Sequence, residues 1–280
     1  MSVLTLSRTK RELRRFNLRA KKGLGQHFLV DEKALQRMVS AAELDPGDTV
    51  VEVGPGLGAL TRGLAREAGR VIAVEIDPAM VAALEENVTG LSNITIVHAD
   101  ILDRTPESLT EGAISYKVVG ALPYNIASAV LRHFLEAGMK PRLMVVAMQK
   151  EVAQTVAAAP GDMGLLSVGV QFYGRPTIVD YVESSSFYPP PKVESAIVRI
   201  DVHEQPPVEV ADEGGFFDVV RGGFSAPRKQ LHNSLAQGLG LETAETAAIL
   251  EHAGIDQQRR AETLSLEEWA AVYRAVIERR

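Results

Sequence analysis

The 280-residue chain contains no cysteine, which excludes disulfides, thiolate metal sites and cysteine nucleophiles. Its six histidines, His27, His98, His133, His203, His232 and His252, are scattered, with no pair at metal-ligand spacing. No apolar run approaches the roughly 20 residues that span a bilayer. Nor does the N-terminus carry an apolar core before a small-residue cleavage site. A soluble, cytoplasmic protein without a metal is expected. A surplus of positive charge is also missing: the formal net charge of −6 argues against a uniformly basic nucleic-acid binder. The charge is nevertheless uneven. Within 8–22, Arg8, Lys10, Arg11, Arg14, Arg15, Arg19, Lys21 and Lys22 stand against the single acid Glu12. Such a block is an arm that lies on phosphates, a solvated tail, or an Arg-rich transit peptide, against which its few serines speak. The 46% of hydrophobic residues suffices for the core of one large or two moderate domains.

The most informative stretch is Thr49-Val50-Val51-Glu52-Val53-Gly54-Pro55-Gly56-Leu57-Gly58. Its valines, bounded by Pro46-Gly47 and by the glycines, read as a buried parallel strand. Gly54, Gly56 and Gly58 allow a tight turn and close approach of a ligand, and residues 59–68 then continue with helical spacing. The amides at such a helix start offer donors to a polar or anionic group. One strand later, Val71-Ile72-Ala73-Val74 ends in Glu75, a carboxylate placed to accept hydrogen bonds from two ribose hydroxyls. These features indicate a nucleoside-cofactor site. Gly54, Gly56 and Ala59 also fit the dinucleotide fingerprint, with an acid about 20 residues on, so this stretch alone does not choose the cofactor.

Further along, strand and helix patterns alternate. Strands are expected at 94–98, 117–120 and 143–147, and helices at 31–43, 78–87 and 127–137. Such alternation implies a parallel, doubly wound sheet whose ligands bind outside the carboxyl ends of its strands. Gly54, Glu75, Asp100 and the segment after Gly120 all fall at those ends. Asp100 suits an adenine amino group. The chain offers no arrangement for hydride transfer; the fourth strand runs instead into Ala121-Leu122-Pro123-Tyr124-Asn125-Ile126. Helices are expected at 148–158 and 165–172, and strands at 177–183 and 195–202, the last a candidate for antiparallel pairing. Gln205-Pro206-Pro207 through Gly214-Gly215 marks a boundary before a helical end. The expected organisation is a basic arm (1–22), a Rossmann-like domain (23–203) and a small helical domain (204–280).

The chain resembles the S-adenosylmethionine-dependent ribosomal RNA adenine dimethyltransferases of the KsgA type. The resemblance rests on GLGQHFL, VVEVGPGLGALT, AVEIDPAM, ADIL, LPYNIAS, SSSFYPPPKVESAIVR, FSAPRKQLHNSL and RRAETLSLEEW, in family order along nearly the whole chain. It implies an α/β fold, a Rossmann-like methyltransferase sheet with a small all-helical C-terminal domain. It implies transfer of four methyl groups from S-adenosyl-L-methionine to two adjacent adenines in a hairpin loop of 16S rRNA. The partner would be an immature small ribosomal subunit, met by a monomer. The cofactor set implied is Gln26, His27, Leu29, Gly54, Gly56, Glu75, Ile76, Asp100, Ile101 and Ala121. The catalytic set is Ala121, Leu122, Pro123, Tyr124 and Phe187, with the target adenine between Tyr124 and Phe187. Stacking on a splayed base is worth about 1–3 kcal/mol.

The family carries Asn before Leu-Pro-Tyr, where this chain has Ala121. That Asn is one of two acceptors for the adenine amine; a carbonyl of Leu122 or Pro123 remains as the other. Loss of one such contact, about 1–3 kcal/mol, corresponds to roughly 5- to 150-fold in rate. The weakened acceptor makes a non-catalytic assembly factor a competing reading. A similar core also serves the large-subunit rRNA adenine methyltransferases of macrolide resistance, but LPY, GLGQHFL and RRAETLSLEEW favour the small-subunit type.

Overall fold

The computed structural model describes residues 6–279. Helix α1 (Leu6–Arg15) is followed by β1 (Phe28–Leu29) and α2 (Glu32–Ala41). Strand and helix then alternate: β2 (Thr49–Val53), α3 (Thr61–Glu67), β3 (Arg70–Glu75), α4 (Pro78–Asn87), β4 (Ile94–His98), the short α5 (Pro106–Leu109), β5 (Lys117–Ala121), α6 (Ala127–Leu135) and β6 (Leu143–Gln149). Helices α7 (Lys150–Val156) and α8 (Leu165–Tyr173) precede β7 (Gly174–Val182), β8 (Phe187–Tyr188) and β9 (Ser195–Val202). Helices α9 (Glu213–Gly223), α10 (Leu231–Leu239), α11 (Thr243–His252) and α12 (Leu266–Ile277) close the chain.

Seven strands form one sheet in the order β4-β3-β2-β5-β6-β9-β7. The first five are parallel, and β9 runs antiparallel to β6. Strand β2 lies between β3 and β5, so Val50, Val51 and Val53 are buried on both faces. That is why its apolar run is continuous rather than alternating. Edge strand β4 is correspondingly half exposed. Helix starts are set locally: Asp31 accepts from the Lys33 and Ala34 amides before α2, and Asp77, followed by Pro78, caps α4.

The chain forms two compact units, Met1–Ala153 with Pro176–Val202, and Gln154–Arg175 with His203–Arg280. This differs from the expected division, because 154–175 belongs with the C-terminal helices. There the Phe172 ring stacks on Phe216 with centroids 5.0 Å apart, and Tyr173 donates to Glu213 at 2.8 Å. Those aromatic contacts outweigh proximity in sequence to the sheet. Within this helical unit the single tryptophan, Trp269, is fully buried against Gly223.

Three further expectations are revised. The basic arm is helical and docked: Thr9, Glu12 and Leu13 are buried, and Leu13 packs with Leu57, Met80 and Ala83. Several of its cations are already paired, Arg15 with Glu12 and Glu86, and Lys21 with Asp77. Helix α3 begins at Thr61, after a turn over 56–60, and β6 runs on to Gln149 before α7 begins. Phe28 and Leu29 pair with Tyr188 and Phe187 in a two-stranded antiparallel ribbon.

Close packing of β5 on β2 depends on Gly120. A Cβ there would stand 2.6 Å from the Val53 carbonyl oxygen, a backbone atom that cannot yield. Gly120→Ala is expected to cost about 1–3 kcal/mol, read as a lowered denaturant midpoint by circular dichroism.

Candidate active site and cofactor cleft

The carboxyl ends of β2, β3 and β5 open into a cavity of about 290 Å³. Every residue of the expected cofactor and catalytic sets lines it: Gln26, His27, Leu29, Gly54, Gly56, Glu75, Ile76, Asp100, Ile101, Ala121, Leu122, Pro123, Tyr124 and Phe187. Among the described residues no cluster of His, Asp and Glu could hold a metal, and no helix is long and apolar enough to cross a membrane.

The floor is the turn after β2. Gly54 and Gly56 adopt φ of +69° and +54°, the left-handed region that glycine enters without steric penalty. Glu75 fixes this turn. Its Oε2 accepts from the Gly56 amide at 3.0 Å, and its Oε1 accepts from the Asp77 amide at 2.9 Å. The carboxylate is only 5% exposed. Burial pushes its pKa up, against the pull of the two amide donors. Each carboxylate oxygen has capacity for a further donor, and the residue faces the cavity.

Asp77 ties the N-terminal segment to the same floor. It accepts from Lys21 Nζ at 2.8 Å and Gln26 Nε2 at 3.0 Å. Burial opposes its charge, but these donors hold its carboxyl below the usual range. Gln26 also accepts from the Lys21 amide at 2.8 Å. Its side chain is therefore a brace at the rim, with both ends of its amide engaged. Asp100 caps the following turn through Oδ1 to the Leu102 amide at 3.0 Å. Ile76 is exposed and Ile101 buried; they give the far end of the cleft apolar surface.

At the near end, Leu122 is anchored through its amide to the Ala147 carbonyl at 2.9 Å. The Pro123 carbonyl accepts from the Ile126 amide at 3.1 Å, which closes the turn and leaves Leu122 as the less committed of the two carbonyls. Ala121 ends β5 opposite Ala147 and packs on the core. Tyr124 is half-buried, and burial raises its phenol pKa. Phe187, expected to hold the target adenine with Tyr124, is buried in this structure. Paired with Leu29 in the ribbon, it is 4% exposed and belongs to the core cluster of the sheet domain. It is a wall of the cavity.

The lining residues outside the expected sets include Thr9 and Glu52. Thr9, on the docked arm, lines the cavity while 1% exposed; the amphipathic spacing of α1 is the signal that could have found it. Glu52 reads in the sequence simply as part of a strand. It is 1% exposed, and its Oε2 has no hydrogen-bond partner. Burial, reinforced by the Glu75 carboxylate, pushes its pKa up to about 8. Its folded pKa thus lies above the ordinary 4.5, so the folded chain keeps a proton that the unfolded chain releases between those values. Its stabilising contribution is full below that window and declines through it, at up to about 1.4 kcal/mol per pH unit. Glu52→Gln is expected to flatten the fall of thermal stability between pH 5 and pH 8. An unchanged slope would assign the proton to another group.

Similarity to known proteins agrees with this geometry. Residues 17–277 match the family described as ribosomal RNA adenine dimethylase. A ribosomal RNA small subunit methyltransferase A of Dehalococcoides mccartyi (strain CBDB1) is 50% identical over 264 residues, covering 94% of this chain and 91% of the relative. Its counterpart in Moorella thermoacetica (strain ATCC 39073 / JCM 9320) is 42% identical over 98% of this chain and 99% of its own. Among solved structures, the 23S rRNA methyltransferase ErmE superposes with a TM-score of 0.72 at 31% identity, covering 89% of this chain and 99% of that one. A dimethyladenosine transferase from Plasmodium falciparum gives 0.75 at 24% identity, with 88% and 96% covered, and supports the fold. The chain belongs to the ribosomal RNA adenine dimethylase family.

Proposed function

We propose that this chain dimethylates N6 of two adjacent adenines in small-subunit ribosomal RNA, with S-adenosylmethionine as methyl donor and an immature small subunit as the natural substrate. The observation that carries this reading is the convergence, in one cavity, of the glycine turn, Glu75, Asp100 and the Leu122-Pro123-Tyr124 turn. They meet in a chain half identical to a named small-subunit rRNA methyltransferase.

The residues present fit the donor. The turn at Gly56 favours glycine, since its φ is +54° and a Cβ there would crowd the Phe28 ring at 3.1 Å. Glu75 would take the ribose hydroxyls, Asp100 the adenine amino group through its uncommitted Oδ2, and Ile76 and Ile101 the faces of that base. S-adenosylmethionine supplies an electrophilic methyl on a sulfonium. Tyr124 presents a ring on which a splayed adenine stacks. The Leu122 carbonyl accepts from the target amine, whose lone pair is delocalised into its ring. An acceptor there favours the more tetrahedral nitrogen of methyl transfer. The remainder is alignment. Ala121 brings no second acceptor, so turnover rather than cofactor affinity carries the deficit.

The test is incubation of purified protein and donor with unmodified small and large subunits, followed by mass spectrometry of rRNA fragments. Dimethyladenosine at two neighbouring positions of the small-subunit RNA is expected. Modification of large-subunit RNA alone would favour the macrolide-resistance reading, and RNA binding without methylation the assembly-factor reading. Ala121→Asn is expected to raise the single-turnover rate by about 10- to 100-fold, the size of one preorganised polar contact. No change would mean that another group already serves as acceptor.

A further inference from the structure

A tyrosine on a turn has two free side-chain torsions, yet a stacking surface has to keep one orientation. In the Leu122-Pro123-Tyr124 turn, two contacts meet the ring from opposite parts of the sequence. The Tyr124 hydroxyl lies 2.6 Å from Ser195 Oγ. The His27 ring stacks on Tyr124, with centroids 5.6 Å apart and planes 21° from parallel. Both partners are themselves anchored. Ser195 is the first residue of β9, paired with Gln149 at the end of β6, and is 0% exposed. His27 Nδ1 lies 2.6 Å from the Pro189 carbonyl oxygen.

We propose that Ser195 is a positioning residue, which holds the Tyr124 ring by its hydroxyl so that the face away from His27 is ready for the target adenine. The proposal rests on the reading of Tyr124 as the stacking surface. Ser195 is assigned no contact with substrate or cofactor and acts only through the phenol. The fixed ends of β6 and β9 make it a rigid tether. Either hydroxyl of the pair can donate to the other. With the tip tied and one face covered, the ring does not have to be ordered when the base arrives, and the entropy of immobilising it is met during folding. The His27 stack covers one face, so a base stacking on the ring has to take the other.

A buried serine at a strand start could instead serve only the fold. A double-mutant cycle separates the two roles. Ser195→Ala is expected to lower single-turnover methylation about 3- to 10-fold, the scale of one neutral hydrogen bond, with unchanged affinity for S-adenosylmethionine. In the Tyr124→Phe protein, which has no hydroxyl to hold, the same change is expected to cost nothing further. An equal loss in both backgrounds would overturn the proposal. A second readout needs no methylation: 3-fluorotyrosine at position 124, followed by fluorine NMR without RNA. Wild type is expected to show a restricted ring and Ser195→Ala an averaged one, whereas identical spectra would refute the tether. If wild type methylates no RNA while the fluorine signal still responds, the functional reading fails and the tether stands.

Discussion

The site depends on one buried carboxylate. Glu75 ends β3, and its two oxygens take the amides of Gly56 on the neighbouring turn and Asp77 at the start of α4. That bridge links the glycine turn, the third strand and the following helix in a region where burial disfavours charge. The compensation is the pair of amide donors, and their loss would leave buried groups unpaired at about 1–3 kcal/mol each. Asp77 then extends the same network to Lys21 and Gln26, so the N-terminal segment is fixed by the residues that shape the cavity floor.

The parallel sheet makes this bridge possible. Glu52 and Glu75 lie on adjacent strands, β2 and β3, and both face the cavity. Two buried acids at one site repel each other if both are charged, and the proton kept by Glu52 removes that repulsion. The close approach of β5 to β2 at Gly120 brings the Leu122-Pro123-Tyr124 turn against the glycine turn, where Gly54 faces the Ala121 carbonyl and Pro123. The glycine turn and the Leu122-Pro123-Tyr124 turn therefore share one strand-to-strand spacing.

Much of this is legible in the sequence, for physical reasons. Buried parallel strands read as continuous valine and isoleucine runs, glycines punctuate the turn, and Glu75 and Asp100 fall at strand ends. The hidden part is non-local or concealed by composition. The pairing of Phe28 and Leu29 with Tyr188 and Phe187 joins segments far apart in the chain, and no local pattern encodes it. That ribbon buries Phe187, which the family resemblance places against the target adenine opposite Tyr124. The charge of 8–22 conceals a docked helix, whose buried face is only Thr9, Glu12 and Leu13. Gln26 reads as a ligand contact until its amide is seen to be engaged by Lys21 and Asp77. The grouping of 154–175 with the C-terminal helices depends on aromatic contacts such as Phe172 with Phe216, whose sequence spacing carries no periodic signal.

The central claim is that Glu75 both builds and completes the seat for a nucleoside methyl donor. Titration calorimetry of S-adenosylmethionine into wild type and Glu75→Ala, with circular dichroism as the control for folding, tests it most directly. A folded Glu75→Ala protein whose affinity falls by at least about 100-fold, as expected for the loss of a buried hydrogen-bonded carboxylate, is the predicted result. A dissociation constant equal to that of wild type would contradict the claim.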